Sequence, residues 1–286
     1  MEKIPQQNKI ESKEKQPEII LHFFRHSEKE SDKNKTDEEI NLTERGREMA
    51  LNYRESNKNI HQSIAFGSPK KRTQETAIYQ MLGGDNGIVE THSFEKLKEK
   101  VNKNLKVGSK FGVDKNLDFP DIEMSQFKQM VYGAFKKNEY ISFLVNESDK
   151  LGVMFDSETE TYSFKAAQVA KIIQKYVLIE DRWESLQKDK TKQYNPELER
   201  FLGTHQGIQE CFLAKLIEIT EGVDERERFI QSLYSGNGFD YNEGIEVKIH
   251  KNENGSKIVE IEYKGEKYQI SKSLSPEIIS KIADLV

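Results

Sequence analysis

The sequence is poor in cysteine, in long apolar runs and in net charge, and each scarcity excludes a class of protein. Cys211 is the only cysteine among 286 residues, which excludes an internal disulfide and a thiolate metal cluster. No apolar run approaches the length that crosses a bilayer. The net charge of -5 indicates neither a nucleic-acid-binding surface nor an acidic tail. We therefore expect a cytoplasmic protein without a nucleic acid or membrane partner.

Charged residues are abundant instead, at 33% of the chain against 35% hydrophobic residues. A chain of this length can still bury a substantial core. We expect residues 1–17, which are rich in Lys, Glu and Gln, to form a disordered polar leader without a secretory signal. Residues 18–286 are expected to form a single domain.

Strand-like and helix-like segments alternate along the sequence. Short apolar runs predict strands, and apolar residues at helical spacing predict helices. We expect strands at 19–24, 64–68, 89–97, 201–204, 245–250 and 257–263, and helices at 41–53, 69–82, 163–177, 207–219 and 275–286. Thr43 or Asn41 is the expected N-cap of the first helix, and Ser68 that of the second. The alternation favours an α/β three-layer sandwich with a mostly parallel central sheet flanked by helices. Residues 100–162 break the pattern and are expected to form an inserted helical cap.

Histidines and arginines follow the predicted strands. Arg25 and His26 end the first strand, and His205 ends a later one. Arg72 comes just inside the helix that follows the second strand. Ligands of parallel α/β sheets bind at the carboxyl ends of the strands. Two histidines and two arginines at such positions predict a pocket for a phosphoryl group.

Four segments, FFRHSE, LTERGREMA, GSPKKRTQETA and GTHQGI, occur in this order. They resemble the successive motifs of the histidine phosphatase superfamily, also called the phosphoglycerate mutase-like family. The resemblance implies that His26 is the nucleophile and that Arg25 and Arg72 bind the phosphoryl oxygens. It also implies that His205 donates a hydrogen bond to the phosphoryl group, and that the reaction needs no metal or other cofactor.

The proton donor to the leaving group is less well marked. In the family, an acidic residue shortly after the strand that follows the RTxxTA helix supplies the proton. Leu97-Lys98-Glu99 resembles the family's Leu-x-Glu, so we expect Glu99 to be the general acid, with Glu95 as the alternative. Both lie in a charge run whose usual meaning is a solvated surface.

These features predict a metal-independent phosphatase that hydrolyses phosphomonoesters through a phosphohistidine. One alternative is a phosphoglycerate mutase-type phosphotransferase. The charged run Ser31 to Ile40 lacks the Trp-Asn that is typical of that branch, which favours hydrolysis. The other alternative is a phosphate-dependent binding module with little turnover. The expected partner is a phosphorylated small molecule or a phosphoprotein, and the sequence leaves its identity, the role of the insert and the oligomeric state open.

Overall fold

The computed structural model describes residues 16–55, 57, 60, 62–84, 94–103, 110–118, 125–155, 161–189, 191, 194–233 and 236–286. The expected polar leader lies, up to residue 15, outside the described residues. No helix in the described ranges is both long enough and apolar enough to cross a membrane.

One sheet organises the described part of the chain. Its strands are β1 (Glu18–Arg25), β2 (Ile64–Gly67), β3 (Phe111–Val113), β4 (Glu197–Thr204), β5 (Gly244–Lys251), β6 (Lys257–Lys264) and β7 (Gln269–Leu274). Their order across the sheet is β3-β2-β4-β1-β5-β6-β7. The β3–β2, β2–β4 and β4–β1 pairs are parallel, whereas β1–β5, β5–β6 and β6–β7 are antiparallel. The α/β prediction is therefore confirmed, but only one half of the sheet is parallel.

Helices lie on both faces of the sheet. They are α1 (Glu44–Asn52), α2 (Lys71–Leu82), α3 (Phe94–Lys103), α4 (Gln126–Lys136), α5 (Tyr140–Phe143), α6 (Asp149–Met154), α7 (Tyr162–Gln187), α8 (Ile208–Glu221), α9 (Val223–Ser232) and α10 (Pro276–Ala283). Strand β1 shows the division: Leu21 and Phe23 belong to the core with α7 and α8, and Phe24 belongs to the core with α1 and α2. Alternate residues of a strand point to opposite faces, so β1 is buried on both sides. This arrangement is the expected three-layer sandwich.

The predicted strand at 89–97 is wrong over the residues that are described. Residues 94–97 begin helix α3, in which Phe94, Leu97 and Val101 are buried. The spacings of three and four residues place these side chains on one helical face. The strand at this edge of the sheet is β3 instead, and it lies within the expected insert. The helical part of the insert is α4 to α6, and the extent of a separate cap stays a prediction.

Two expected helix caps have different outcomes. The Thr43 hydroxyl accepts a hydrogen bond from the Gly46 N–H and caps α1 as expected. Helix α2, in contrast, starts two residues later than expected, and its N-cap is Lys70 rather than Ser68. The Ser68 hydroxyl lies within hydrogen-bonding distance of a histidine at the carboxyl end of the sheet. Strand β7 and helix α9 have no counterpart among the sequence predictions.

Candidate active site

The parallel pairing of β1 with β4 brings the two predicted histidines together. Arg25 and Thr204, the last residues of the two strands, are partners in the register. His26 and His205 each follow these residues, and the His26 N–H donates to the Thr204 carbonyl at 2.9 Å. The two imidazole centroids are 5.5 Å apart. The sheet itself therefore fixes the distance between the two rings.

His26 is held in a form that suits a nucleophile. Its Nδ1 lies 2.8 Å from the Ser27 carbonyl oxygen, which can only accept, so the Nδ1 carries the hydrogen. Burial lowers the pKa of His26 well below its ordinary value, and the charges of His205 and Arg72 lower it further. The ring is thus neutral near pH 7, and its Nε2 keeps a lone pair.

Ser27, the residue after His26, is held by hydrogen bonds on both its backbone and its side chain. Its N–H donates to the Thr76 hydroxyl at 3.0 Å. Its own hydroxyl lies 3.1 Å from the Asn242 side-chain nitrogen, which donates to it. These two bonds fix the peptide whose carbonyl orients His26.

Both predicted arginines line the cavity in front of His26. Arg25 donates to the Phe239 carbonyl, and its guanidinium lies 4.6 Å from the centre of the Tyr241 ring. Arg72 is 3% exposed and binds both carboxylate oxygens of Asp37, at 2.9 and 3.0 Å. The Nε atoms of both arginines are buried and make no hydrogen bond within the described residues. Each cation thus has a donor left for an oxygen ligand.

Asp37 extends from the segment between β1 and α1 to the cations of the site. Its carboxylate lies 3.0 Å from Lys70 Nζ and 3.7 Å from Lys29 Nζ, in addition to its pair with Arg72. Although partial burial opposes the effect, the hydrogen bonds from Arg72 and Lys70 hold the pKa of Asp37 well below its usual range. Asp37 is therefore an anion bound to the guanidinium nitrogens that the resemblance assigns to a phosphoryl group.

His205 contacts an acid that the sequence analysis did not single out. Its Nε2 lies 3.1 Å from Asp118 Oδ1 and 2.9 Å from the Ser68 hydroxyl. Burial lowers the pKa of His205 to about 4, although Asp118 acts in the opposite direction. Lys70 Nζ is also 3.5 Å from the same Asp118 oxygen. An acid, a neutral imidazole and a cation thus meet at the carboxyl end of the sheet.

The two glutamates proposed as general acid lie elsewhere. Glu95 and Glu99 are exposed on helix α3, and Glu95 pairs with Lys98 at 3.2 Å. Neither belongs to the residues that line the cavity. Asp118 follows β3, the next described strand after α2, and the sequence analysis expected the acid shortly after the strand that follows this helix. Because the third strand was expected at 89–97, the prediction of the acid fell on the segment that forms α3.

Helix α8 holds one wall of the site in place. Gly207, at its N-terminus, has a φ of +91°, and a side chain there would collide with the Tyr140 ring. Glu210 accepts from the Gly207 and Phe239 N–H groups at 2.9 and 2.8 Å. Burial raises the pKa of Glu210 to about 7. Glu210 thereby ties α8 to the segment whose carbonyl holds Arg25.

These residues surround a cavity of about 470 Å³. Its lining comprises Arg25, His26, Lys29, Arg72, Lys128, Val131, Tyr132, Phe135, Tyr140, Lys165, His205, Gln206 and Tyr241. Five of these side chains are Arg or Lys and none is Asp or Glu, which suits an anionic ligand. Within the described ranges, no three His, Cys, Asp or Glu side chains are grouped in a way that could hold a metal ion.

The chain has recognisable similarity to known proteins. Residues 21–105 match the model of the histidine phosphatase superfamily (branch 1), which confirms the resemblance drawn from the motifs. No protein of curated function matches the chain significantly. The family match supports a phosphatase or phosphotransferase activity.

Solved structures with a similar fold include three hydrolases. Mycobacterial hydrolase 1 is 13% identical, with a TM-score of 0.46 over 89% of this chain and 100% of its own. A mycobacterial glucosyl-3-phosphoglycerate phosphatase is 14% identical, with a TM-score of 0.41 over 82% of this chain and 91% of its own. The Hafnia alvei phytase is 8% identical, with a TM-score of 0.39 over 94% of this chain and 96% of its own.

Proposed function

From the match of residues 21–105 to the histidine phosphatase superfamily, we propose that the protein is a phosphoric monoester hydrolase with a phosphohistidine intermediate at His26. The observation that carries the proposal is the state of His26. The ring is neutral and oriented by the Ser27 carbonyl, and its Nε2 lone pair is left for a phosphorus atom. The cytoplasmic location expected from composition is part of this proposal and is not needed for the chemistry.

Binding of the substrate requires that the phosphoryl group replaces part of the contact between Asp37 and Arg72. The phosphoryl oxygens take donors from Arg25 and Arg72, whose Nε atoms lack partners within the described residues. Forked arginine contacts to such oxygens are strong because both partners are charged. Asp37 has to give up part of its contact with Arg72 for this to occur. The arginine charges supply the stabilisation that phosphoryl transfer mainly demands, so the proposed reaction uses no metal.

The reaction proceeds in two displacements. The His26 Nε2 lone pair forms an N–P bond while the bond between phosphorus and the leaving oxygen breaks, and that oxygen takes a proton. Water then attacks the phosphorus, the N–P bond breaks, and the pair of electrons returns to Nε2. Covalent catalysis of this kind replaces one difficult step by two easier ones.

We assign the proton transfer to Asp118 in place of Glu99. Asp118 does not itself line the cavity, but it lies 3.1 Å from Nε2 of His205, which does, and its side chain is 14% exposed. Asp118 gives its proton to the leaving oxygen and takes one from the attacking water in the second step. The negative phosphoryl group offsets the cations around Asp118 and favours its protonated form. His205 is the neutral donor beside it.

The test is hydrolysis of an aryl phosphate in the presence of a chelator. We expect activity that survives chelation, and an acid-labile phosphoenzyme after rapid quenching that is missing in His26→Ala. Phosphoryl exchange between glycerate isomers at a rate above hydrolysis would support the mutase alternative. Tight binding of phosphate esters with no turnover would support a binding module.

A further inference from the structure

One face of helix α4 lines the cavity opposite the phosphoryl site. Lys128, Val131, Tyr132 and Phe135 line it, and their spacing of three, four and seven residues is that of a single helical face. Phe127 and Ala134, on other faces of the helix, are buried in the protein. Tyr132 and Phe135 remain 58% and 41% exposed. An apolar face that borders a cavity marks a binding surface.

Further rings continue this surface around the cavity. The Phe135 and Tyr140 rings meet edge to face with their centroids 5.7 Å apart. Tyr140 in turn packs against Gly207, beside His205. On the other side, the Tyr241 ring lies 6.2 Å from the His26 ring. The predicted phosphoryl site is thus flanked by aromatic rings from α4, α5 and the segment before β5.

The described lining has few uncharged hydrogen-bonding groups. A pocket of this kind orients its ligand through a small number of placed polar groups against apolar and aromatic walls. Apart from the histidines and the tyrosine hydroxyls, Gln206 is the neutral hydrogen-bonding side chain among the described lining residues. The described lining therefore combines cationic side chains with aromatic rings. A volume of about 470 Å³ leaves room for a group much larger than phosphate itself.

We propose that the substrates are phosphomonoesters whose alcohol part carries a planar aromatic ring, which packs against Tyr132 and Phe135 while the phosphoryl group faces His26. This inference rests on the proposed function and specifies its substrate class. Offset or edge-to-face contacts between rings are favourable beyond the burial of apolar area. The ring can adjoin the phosphate, as in a benzyl ester, or lie further away, as in a nucleotide.

The experiment compares pairs of esters that differ in the ring and have nearly the same leaving oxygen. Benzyl phosphate is paired with cyclohexylmethyl phosphate, and adenosine 5′-monophosphate with ribose 5-phosphate. We expect kcat/KM to favour the aromatic member of at least one pair by about 10-fold or more. The pair that shows the preference locates the ring near the phosphate or further from it.

Variants test whether α4 causes the preference. Tyr132→Leu and Phe135→Leu keep apolar volume but remove the rings, so we expect each to lower the aromatic preference by about 3-fold or more. Val153→Ala is the control, because Val153 is 75% exposed on α6 and does not line the cavity. Calorimetric binding of the same esters to His26→Ala keeps the preference measurable without turnover.

The outcomes separate the two proposals. Hydrolysis with equal efficiency within both pairs would overturn the aromatic preference and leave the phosphatase standing. A preference for an aromatic ester in calorimetry, with no hydrolysis by the unmodified protein, would overturn the phosphatase and retain the aromatic ligand class. Neither hydrolysis nor binding of any of the four esters would overturn both.

Discussion

Strand β1 carries one histidine in its middle and is followed directly by another, and the charges around the two histidines have opposite signs. His22 lies between two carboxylates, with Nδ1 3.1 Å from Glu246 and Nε2 3.5 Å from Glu199. Burial disfavours the protonation of His26, and the charges of Arg72 and Arg25 add to this effect. Both side chains are buried. The comparison shows that neighbouring charges, and not the residue type, separate a structural histidine from a candidate nucleophile.

The position along the strand explains the difference. Within the sheet, His22 is flanked by β4 and β5, which supply Glu199 and Glu246. Beyond the end of the strand, His26 adjoins the cavity and the start of helix α2. The interior of a sheet holds groups that satisfy one another, whereas the carboxyl ends of parallel strands are open to a ligand.

Replacing each histidine in turn gives the largest expected contrast. We expect His26→Ala to lower kcat by about 10⁴-fold or more, because the N–P bond has no other acceptor. We expect His22→Ala to keep kcat within about 2-fold but to lower the free energy of unfolding by about 1–3 kcal/mol, since Glu199 and Glu246 each lose one of their partners. Steady-state kinetics and urea unfolding measure the two effects. A large loss of kcat in a folded His22→Ala protein would remove the distinction between the two histidines.

The second prediction compares Asp118, which follows strand β3 in the parallel half of the sheet, with Glu99 on helix α3. We expect Asp118→Asn to lower kcat by about 10²-fold for alkyl phosphates, whose leaving oxygen needs a proton. The loss should be much smaller for p-nitrophenyl phosphate, whose leaving group needs none. Glu99→Gln is the matched control and should leave both rates unchanged. A selective loss for alkyl phosphates in Glu99→Gln would return the acid role to α3.

The third prediction concerns Asp37, whose carboxylate contacts the cations of the site. Its carboxylate accepts hydrogen bonds from Arg72 and contacts Lys70, so removing its charge should strengthen the binding of a phosphate anion at these cations. We expect Asp37→Asn to tighten competitive inhibition by inorganic phosphate by about 3- to 10-fold, the effect of weakening one charged contact on a shared cation. Glu38→Gln changes the net charge equally at an exposed neighbouring position and is the control. Weaker inhibition in Asp37→Asn would mean that Asp37 positions Arg72 and does not compete for it.

The smallest effect concerns a buried acid one helical turn from Arg72. Burial raises the pKa of Glu75 from 4.5 to about 7, although its hydrogen bond from the Leu42 N–H opposes the shift. The folded protein therefore holds more protons than the unfolded chain between these pH values, and this contribution to stability falls as the pH rises through that window. We expect the free energy of unfolding of Glu75→Gln to exceed that of the original protein by about 1 kcal/mol more at pH 8 than at pH 5.

Urea unfolding at several pH values measures this change. Glu39→Gln, at an exposed position before α1, is the control. If the free energies of unfolding of the original protein and Glu75→Gln stay parallel from pH 5 to pH 8, Glu75 does not titrate in this range.

The positions of the proposed nucleophile and of the two arginines could be predicted because their signals are local. Arg25 and His26 end an apolar run, and His205 ends another, so strand prediction alone put them at one edge of a parallel sheet. The acid could not be found in the same way. It depends on which segment forms the third strand, and the short β3 has only three residues, none of which is buried.

The antiparallel half shows the same limit. The hairpin of β5 and β6 was predicted from its turn, but its position beside β1 was not. That position supplies Glu246 to His22 and brings Asn242 to Ser27. Pairing between distant segments is chosen by packing, and the strand sequences themselves do not encode the neighbour.

The amino-acid sequence by itself determined the α/β alternation, the two histidines and the two arginines, because periodicity and strand ends are properties of short segments. Only the tertiary structure decided that Asp118 meets His205, that Asp37 occupies Arg72, and that α4 presents its rings to the cavity. These contacts join residues far apart in the chain, and their formation depends on how the helices and the sheet pack around a common core.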